Sequence, residues 1–153
     1  MRITKRTNIA IRVLMFCGAN MDRLVTKSEI AARCNTSESH LAQVINRLAQ
    51  LDYLHTQRGR SGGITLARPM DQITIGDVFR QLEAHTPIAE CFADADNTCP
   101  FTNACRLREA LTKAAAAFFA ELDDVTLDGL VCGNEALIAM LNPSLCNQDR
   151  LSA

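Results

Sequence analysis

Three cysteines, Cys91, Cys99 and Cys105, fall within fifteen residues, separated by seven and then five positions. Thiolates are soft ligands, and three on one short polar loop can hold a soft metal or an iron–sulfur cluster. Zinc is the first alternative, but tetrahedral zinc loops usually pair their cysteines as Cys-x2-Cys, a spacing absent here. The chain also lacks a Cys-x-x-Cys redox pair, and its three histidines (His40, His55, His85) form no Ser/His/Asp arrangement. A thiol oxidoreductase is therefore only a remote alternative, and no enzyme activity is expected. A third possibility is a cluster-free regulator whose cysteines form disulfides on oxidation. The remaining cysteines, Cys17, Cys34, Cys132 and Cys146, are scattered. Cys17 lies among apolar neighbours and reads as a small core residue, Cys34 reads as structural in a turn, and the other two read as bystanders.

These thiols must be positioned by a chain of 153 residues, which is one domain by size and long enough to bury a core. Hydrophobic residues at 48% and charged residues at 22% fit an ordinary globular protein. No apolar run approaches the roughly 18 residues of a membrane span, and no signal-peptide core follows the basic N-terminus. A cytoplasmic location is expected, where an odd count of seven cysteines argues against a disulfide framework. The net charge of −1 hides an asymmetry: residues 1–70 carry 11 Lys and Arg against 4 Asp and Glu, a balance of +7, whereas residues 71–153 carry 5 against 13, a balance of −8. The basic half suits phosphates.

Within the basic half, Ile9, Ala10, Val13, Leu14, Phe16 and Cys17 recur at helical spacing over residues 3–19. Thr26-Lys27-Ser28-Glu29 fits a capping box opening a short helix from Lys27 to Arg33. After the turn at Cys34-Asn35-Thr36, Ser37 can cap a helix over residues 38–51. Leu41, Val44, Ile45 and Leu48 form its apolar face, with Ser39, His40, Gln43, Asn46 and Arg47 opposite. Such a pair reads as helix-turn-helix, the second helix offering donors and acceptors to base edges in the major groove. A polar face alone equally describes a solvated helix, and the next segment decides. Tyr53–Thr56 and Ile64–Ala67 read as two strands flanking a glycine-rich turn that carries Arg58 and Arg60. This is a β-hairpin wing, able to approach a phosphate backbone. A nucleotide cradle is the weaker reading, because no P-loop lysine follows and no helix starts there.

Thr74 caps a helix from Ile75 to about Ala84, burying Val78, Phe79 and Leu82. A long helix follows the cysteine loop, from Arg106 to Asp123, with a stripe of Leu107, Leu111, Ala114 and Ala115, Phe118 and Leu122. Its alanine-rich remainder favours close helix packing, so it reads as a dimerisation helix. Thr126 caps a short helix from Leu127 to Val131. The fold class is thus mainly α, a winged helix-turn-helix with a long C-terminal dimerisation helix. The expected organisation is a DNA-binding domain over 1–84 with its wing at 53–68, a cysteine loop over 85–105, a dimerisation helix and C-terminal helices over 106–141, and a flexible tail over 142–153.

Residues 1–141 resemble the Rrf-two family of bacterial winged-helix regulators. The resemblance runs from Met1-Arg2-Ile3-Thr4-Lys5-Arg6-Thr7-Asn8 through Arg58-Gly59-Arg60-Ser61-Gly62-Gly63 and Ile75-Gly76-Asp77-Val78. It continues with Cys99-Pro100-x4-Cys105-Arg106-Leu107 and Leu127-x2-Leu130-Val131. Within the family the chain is most similar to the nitric-oxide-sensing iron–sulfur repressors, on Cys105-Arg106-Leu107-Arg108 and Ala117-Phe118-Phe119-Ala120-Glu121-Leu122-Asp123. The iron-responsive branch is the near rival, on Ala89-Glu90-Cys91-Phe92 and Asn8. A branch that senses cluster status has a histidine where this chain has Arg108.

The resemblance implies a homodimeric repressor with crossed long helices that binds a double-stranded DNA operator. DNA contacts are expected from Ser37, Ser39, His40, Gln43, Arg47, Arg58 and Arg60. It also implies an iron–sulfur cluster of the 4Fe-4S type, or alternatively 2Fe-2S, held by Cys91, Cys99 and Cys105. Its fourth corner falls to Asn8 of the partner subunit, where the nitric-oxide-sensing branch has an aspartate, to an acid such as Glu90, or to an exogenous small molecule.

Overall fold

The local signals for helix ends act where they fall. In the computed structural model, which describes residues 3–83, 87–93 and 97–142, Thr4 caps α1 (Lys5–Gly18) by accepting the Thr7 N–H. Thr26 and Glu29 close the expected capping box on α2 (Lys27–Arg33). Asn35 takes a left-handed φ of 49° in the turn, a conformation asparagine tolerates. Ser37 then caps α3 (Glu38–Gln50) through the His40 N–H. The apolar faces read from the sequence are the buried ones: Ile9, Ala10, Val13, Leu14, Phe16 and Cys17 on α1, Ile30 and Ala31 on α2, and Leu41, Val44, Ile45 and Leu48 on α3.

The wing is the antiparallel pair β1 (Leu54–Gln57) and β2 (Gly63–Leu66), each one residue from its expected span, with Leu54 opposite Leu66 and Gln57 opposite Gly63. An antiparallel bridge from Val25 to Ile64 extends the hairpin toward the helix-turn-helix. The bridge joins residues 39 positions apart in sequence (25 to 64). Gly59 holds φ 111° in the wing turn, a value open to glycine and strained for other residues.

Beyond the wing, α4 (Ile75–Glu83) is capped by Thr74. The long helix α5 (Arg106–Asp123) spans the expected residues. It is followed by α6 (Leu127–Val131), capped by Thr126, and by α7 (Glu135–Leu141). The sequence shows apolar residues over α7 but marks no boundaries for it. A Thr74–Thr126 bridge and the bond from the Leu127 N–H to the Ile73 carbonyl tie the segment after α5 back to the head.

One core serves the head and α6, running from Ile9 on α1 to Leu127 and Val131 on α6. By contrast, α5 buries none of its residues in the single chain. It lies on α4, where Phe79 meets Phe118 edge-on at 5.9 Å and Arg80 pairs with Asp123 in two bonds of 2.6 and 2.5 Å. Cys146 and nearly all of the expected tail lie outside the described residues.

Candidate DNA interface and cysteine site

The recognition helix presents the face expected of it. Ser37, Ser39, His40, Gln43 and Asn46 are exposed, while Arg47 is half-buried. Opposite them, Leu41, Val44, Ile45 and Leu48 anchor α3 in the core, so its polar residues keep a fixed bearing. Arg58 and Arg60 are exposed on the wing turn. At the start of α3, Glu38 accepts from Ser28 Oγ at 2.8 Å and pairs with Lys27 at 3.3 Å. Those bonds hold its carboxyl below the usual carboxylate range, the Ser28 bond first and Lys27 after it.

Sequence reading missed the residue that closes the other end of α3. Arg68 donates to the Leu51 and Asp52 carbonyls, both at 3.0 Å, and stacks 4.5 Å from the centre of the Tyr53 ring. A guanidinium there satisfies carbonyls that have no partner inside the helix. Only the positive charge of Arg68 was visible in the sequence, not its target 16 and 17 positions away.

The cysteine loop is braced at each of its cysteines. Cys105 is the N-cap of α5, its Sγ accepting the Arg108 N–H at 3.4 Å. Arg108 Nε also donates to the Cys91 carbonyl at 3.2 Å, and its guanidinium lies 5.3 Å from the Phe92 ring centre. One arginine thus links the first and third cysteines. The second is fixed by its own neighbours: Asn97 accepts the Cys99 N–H at 3.1 Å, and Thr102 donates to the Cys99 carbonyl at 2.9 Å. Glu90 bridges across the loop to the Thr98 N–H and hydroxyl, both at 2.6 Å. These bonds hold its carboxyl below the usual carboxylate range, the hydroxyl bond contributing most. Glu90 is therefore engaged as a brace in this arrangement.

Cys91, Cys99 and Cys105 are all free and half-exposed. Among the described residues, no three of His, Cys, Asp or Glu gather closely enough to hold a single metal ion. Three free thiols on one loop are soft donors, of the kind that an iron–sulfur cluster or another soft metal takes. Asn8 is exposed on α1, turned away from the core that buries its neighbours Thr7 and Ile9.

The other cysteines separate by environment. Burial pushes the Cys17 thiol up to about 12, with nearby Cys34 adding to the shift, and raises Cys34 as well. Both are core residues, as expected. Cys132 is exposed and donates to Asp128 Oδ1 at 3.0 Å.

Residues 3–133 match the family model described as Rrf2, iron-dependent transcriptional regulator. The chain belongs to the Rrf2 family. Among relatives of this Rrf2 regulator, NsrR of Geobacillus kaustophilus, an HTH-type transcriptional regulator, is 42% identical over 142 residues, covering 92% of this chain and 97% of NsrR. Protein aau3 of Rhizobium meliloti is 42% identical over 131 residues, covering 86% and 85% of the two chains. In fold, this Rrf2 chain is similar to the structure of CymR, the global cysteine regulator of Bacillus subtilis. The TM-score is 0.67 at 23% identity, over 86% of this chain and 96% of that one. The winged helix-turn-helix is thus the fold of a DNA-binding transcriptional regulator. No described helix is long and apolar enough to cross a membrane.

Proposed function

We propose that the protein is a homodimeric repressor whose operator affinity is set by an iron–sulfur cluster that senses nitric oxide. The observation that carries this reading is the trio of free, half-exposed thiols at Cys91, Cys99 and Cys105, braced at the N-terminus of α5. The likeness to NsrR over nearly the whole chain supports it. Cys91, Cys99 and Cys105 would hold the cluster. The fourth corner falls to Asn8 of the partner subunit or to an exogenous small molecule, since Glu90 is engaged with Thr98. When bound, the cluster supplies irons that nitric oxide can ligate, most readily at the corner without a thiolate.

The chain's own residues supply the rest. Arg108 ties Cys91 to Cys105, so an occupied loop is drawn onto α5. Ser37, Ser39, His40, Gln43 and Arg47 meet the major groove, and Arg58 and Arg60 the backbone beside it. The functional division is a DNA-binding domain over 1–84, a sensing loop over 85–105 and a dimer-forming region over 106–141. A second copy of the chain would cover the open face of α5, beside which Phe101 and Leu107 are 72% and 65% exposed. The iron-responsive alternative uses the same thiols and is favoured by the family's description as iron-dependent. Such a regulator works in the cytoplasm.

Protein prepared without oxygen should be brown, bleach on adding nitric oxide, and lose its colour in Cys99→Ala while keeping its helical content. Release from the operator by an iron chelator but not by nitric oxide would select the iron-responsive reading. A colourless anaerobic preparation without iron would overturn both.

A further inference from the structure

We propose that the last turn of α4 is the relay between the cysteine loop and the recognition helix, with Gln81 and Tyr53 as positioning residues. The proposal rests on the sensing role just given to the loop. Within four residues this turn makes polar contacts to three distant elements. Arg80 grips Asp123 at the end of α5. Gln81 Nε2 donates to the Tyr53 hydroxyl at 3.1 Å. Glu83 accepts the N–H and hydroxyl of Thr4, the cap of α1, at 3.0 and 2.7 Å. Glu83 is also the last residue of α4, and the cysteine segment follows it in the chain.

The middle bond leads to DNA. Tyr53 is 1% exposed, so its ring moves only with its surroundings. Arg68 stacks on that ring and holds the Leu51 and Asp52 carbonyls at the C-terminal end of α3. Asp52, at φ 57°, turns the chain out of the helix there. A shift of α4 must either carry Tyr53, Arg68 and the end of α3 with it or break the Gln81–Tyr53 bond. That is a contiguous path of hydrogen bonds and one ring stack from α4 to the end of α3, along which a shift at one end can be felt at the other. Gln81 is exposed and adds nothing to the core, so its amide can be changed without unpacking the head.

The test compares operator affinity of the cluster-loaded and cluster-free dimer for the wild type, Gln81→Met, Tyr53→Phe and Gln81→Glu, with the visible spectrum recorded for each. The wild-type ratio should be about tenfold or more, within the usual span of allosteric couplings. Gln81→Met and Tyr53→Phe should bring it to within about threefold of unity while leaving the spectrum unchanged. Gln81→Glu should keep the wild-type ratio, because the Tyr53 hydroxyl can donate to a carboxylate. The chain has 1 tyrosine, so protein labelled with 3-fluorotyrosine gives a single fluorine resonance. That resonance should move on cluster removal in the wild type and stay still in Gln81→Met. A Gln81→Met or Tyr53→Phe dimer that keeps the wild-type ratio, or that loses affinity equally in both states, overturns the relay, as does a Gln81→Glu dimer that loses the ratio. A wild-type ratio of one overturns the sensing role itself, and the relay with it.

Discussion

The six described cysteines divide by environment rather than by spacing alone, and that division can be read chemically. With the Cys17 thiol pushed up to about 12 by burial, only about one molecule in ten thousand carries the reactive thiolate at pH 8. Native, cluster-free protein treated with iodoacetamide at pH 8 should label at Cys91, Cys99, Cys105 and exposed Cys132, and at Cys17 and Cys34 only after unfolding. Loading the cluster should protect Cys91, Cys99 and Cys105 and leave Cys132 reactive. Mass spectrometry of the peptides reads both patterns, and native labelling of Cys17 would contradict the core assignment. Single residues were legible where their partners are local: Thr26 and Glu29, Ser37, Thr74 and Thr126 all cap the helices expected of them. Arg68, Gln81 and Glu83 were not, because their partners lie 16, 28 and 79 positions away.

Among the elements, the contact between α4 and α5 is the one most open to perturbation. A Cβ on Gly76 would collide with the Asp123 carboxylate and come within 3.0 Å of the Asp123 backbone nitrogen. Gly76→Ala should therefore push α5 off α4 and destabilise the fold by about 1–3 kcal/mol, the usual range for overpacking, readable as a lower Tm. The Arg80–Asp123 pair adds a pH dependence. Its bonds to Arg80 hold the Asp123 carboxyl below the usual carboxylate range. A carboxyl with a depressed folded pKa contributes stability above its unfolded pKa of about 3.9 and loses it as pH falls through the lower folded value. Asp123→Asn should thus differ from the wild type in Tm at pH 7, and the difference should vanish as the pH falls below about 4. Helix spans were readable because periodicity and caps are local. The strand bounds differ by one residue from those expected, although the pairing register is the one the expected spans imply.

At the scale of the whole molecule, a single chain leaves α5 uncovered, with none of its residues buried. If a second copy covers it, Leu111→Glu should give a monomer by sedimentation while the winged head stays folded. Operator affinity should then fall by several orders of magnitude, since one head makes about half of the contacts. A Leu111→Glu protein that remains dimeric would show that the copies meet elsewhere. The sequence marked this helix as a dimer element by its alanines, but it could not show that Phe118 is spent on Phe79 of the same chain. The basic head and acidic remainder also fit a regulator that meets DNA with one end, so its affinity should fall steeply with salt.

The central claim is that the cysteine loop controls the winged head. Its most direct test is an anaerobic titration of the cluster-loaded dimer with nitric oxide, following visible absorbance and operator occupancy in one sample. Colour and binding should be lost together over the same nitric oxide additions, and Cys99→Ala should bind the operator weakly from the start. Operator binding that persists after the colour has gone, or that is as tight in colourless Cys99→Ala, would contradict it.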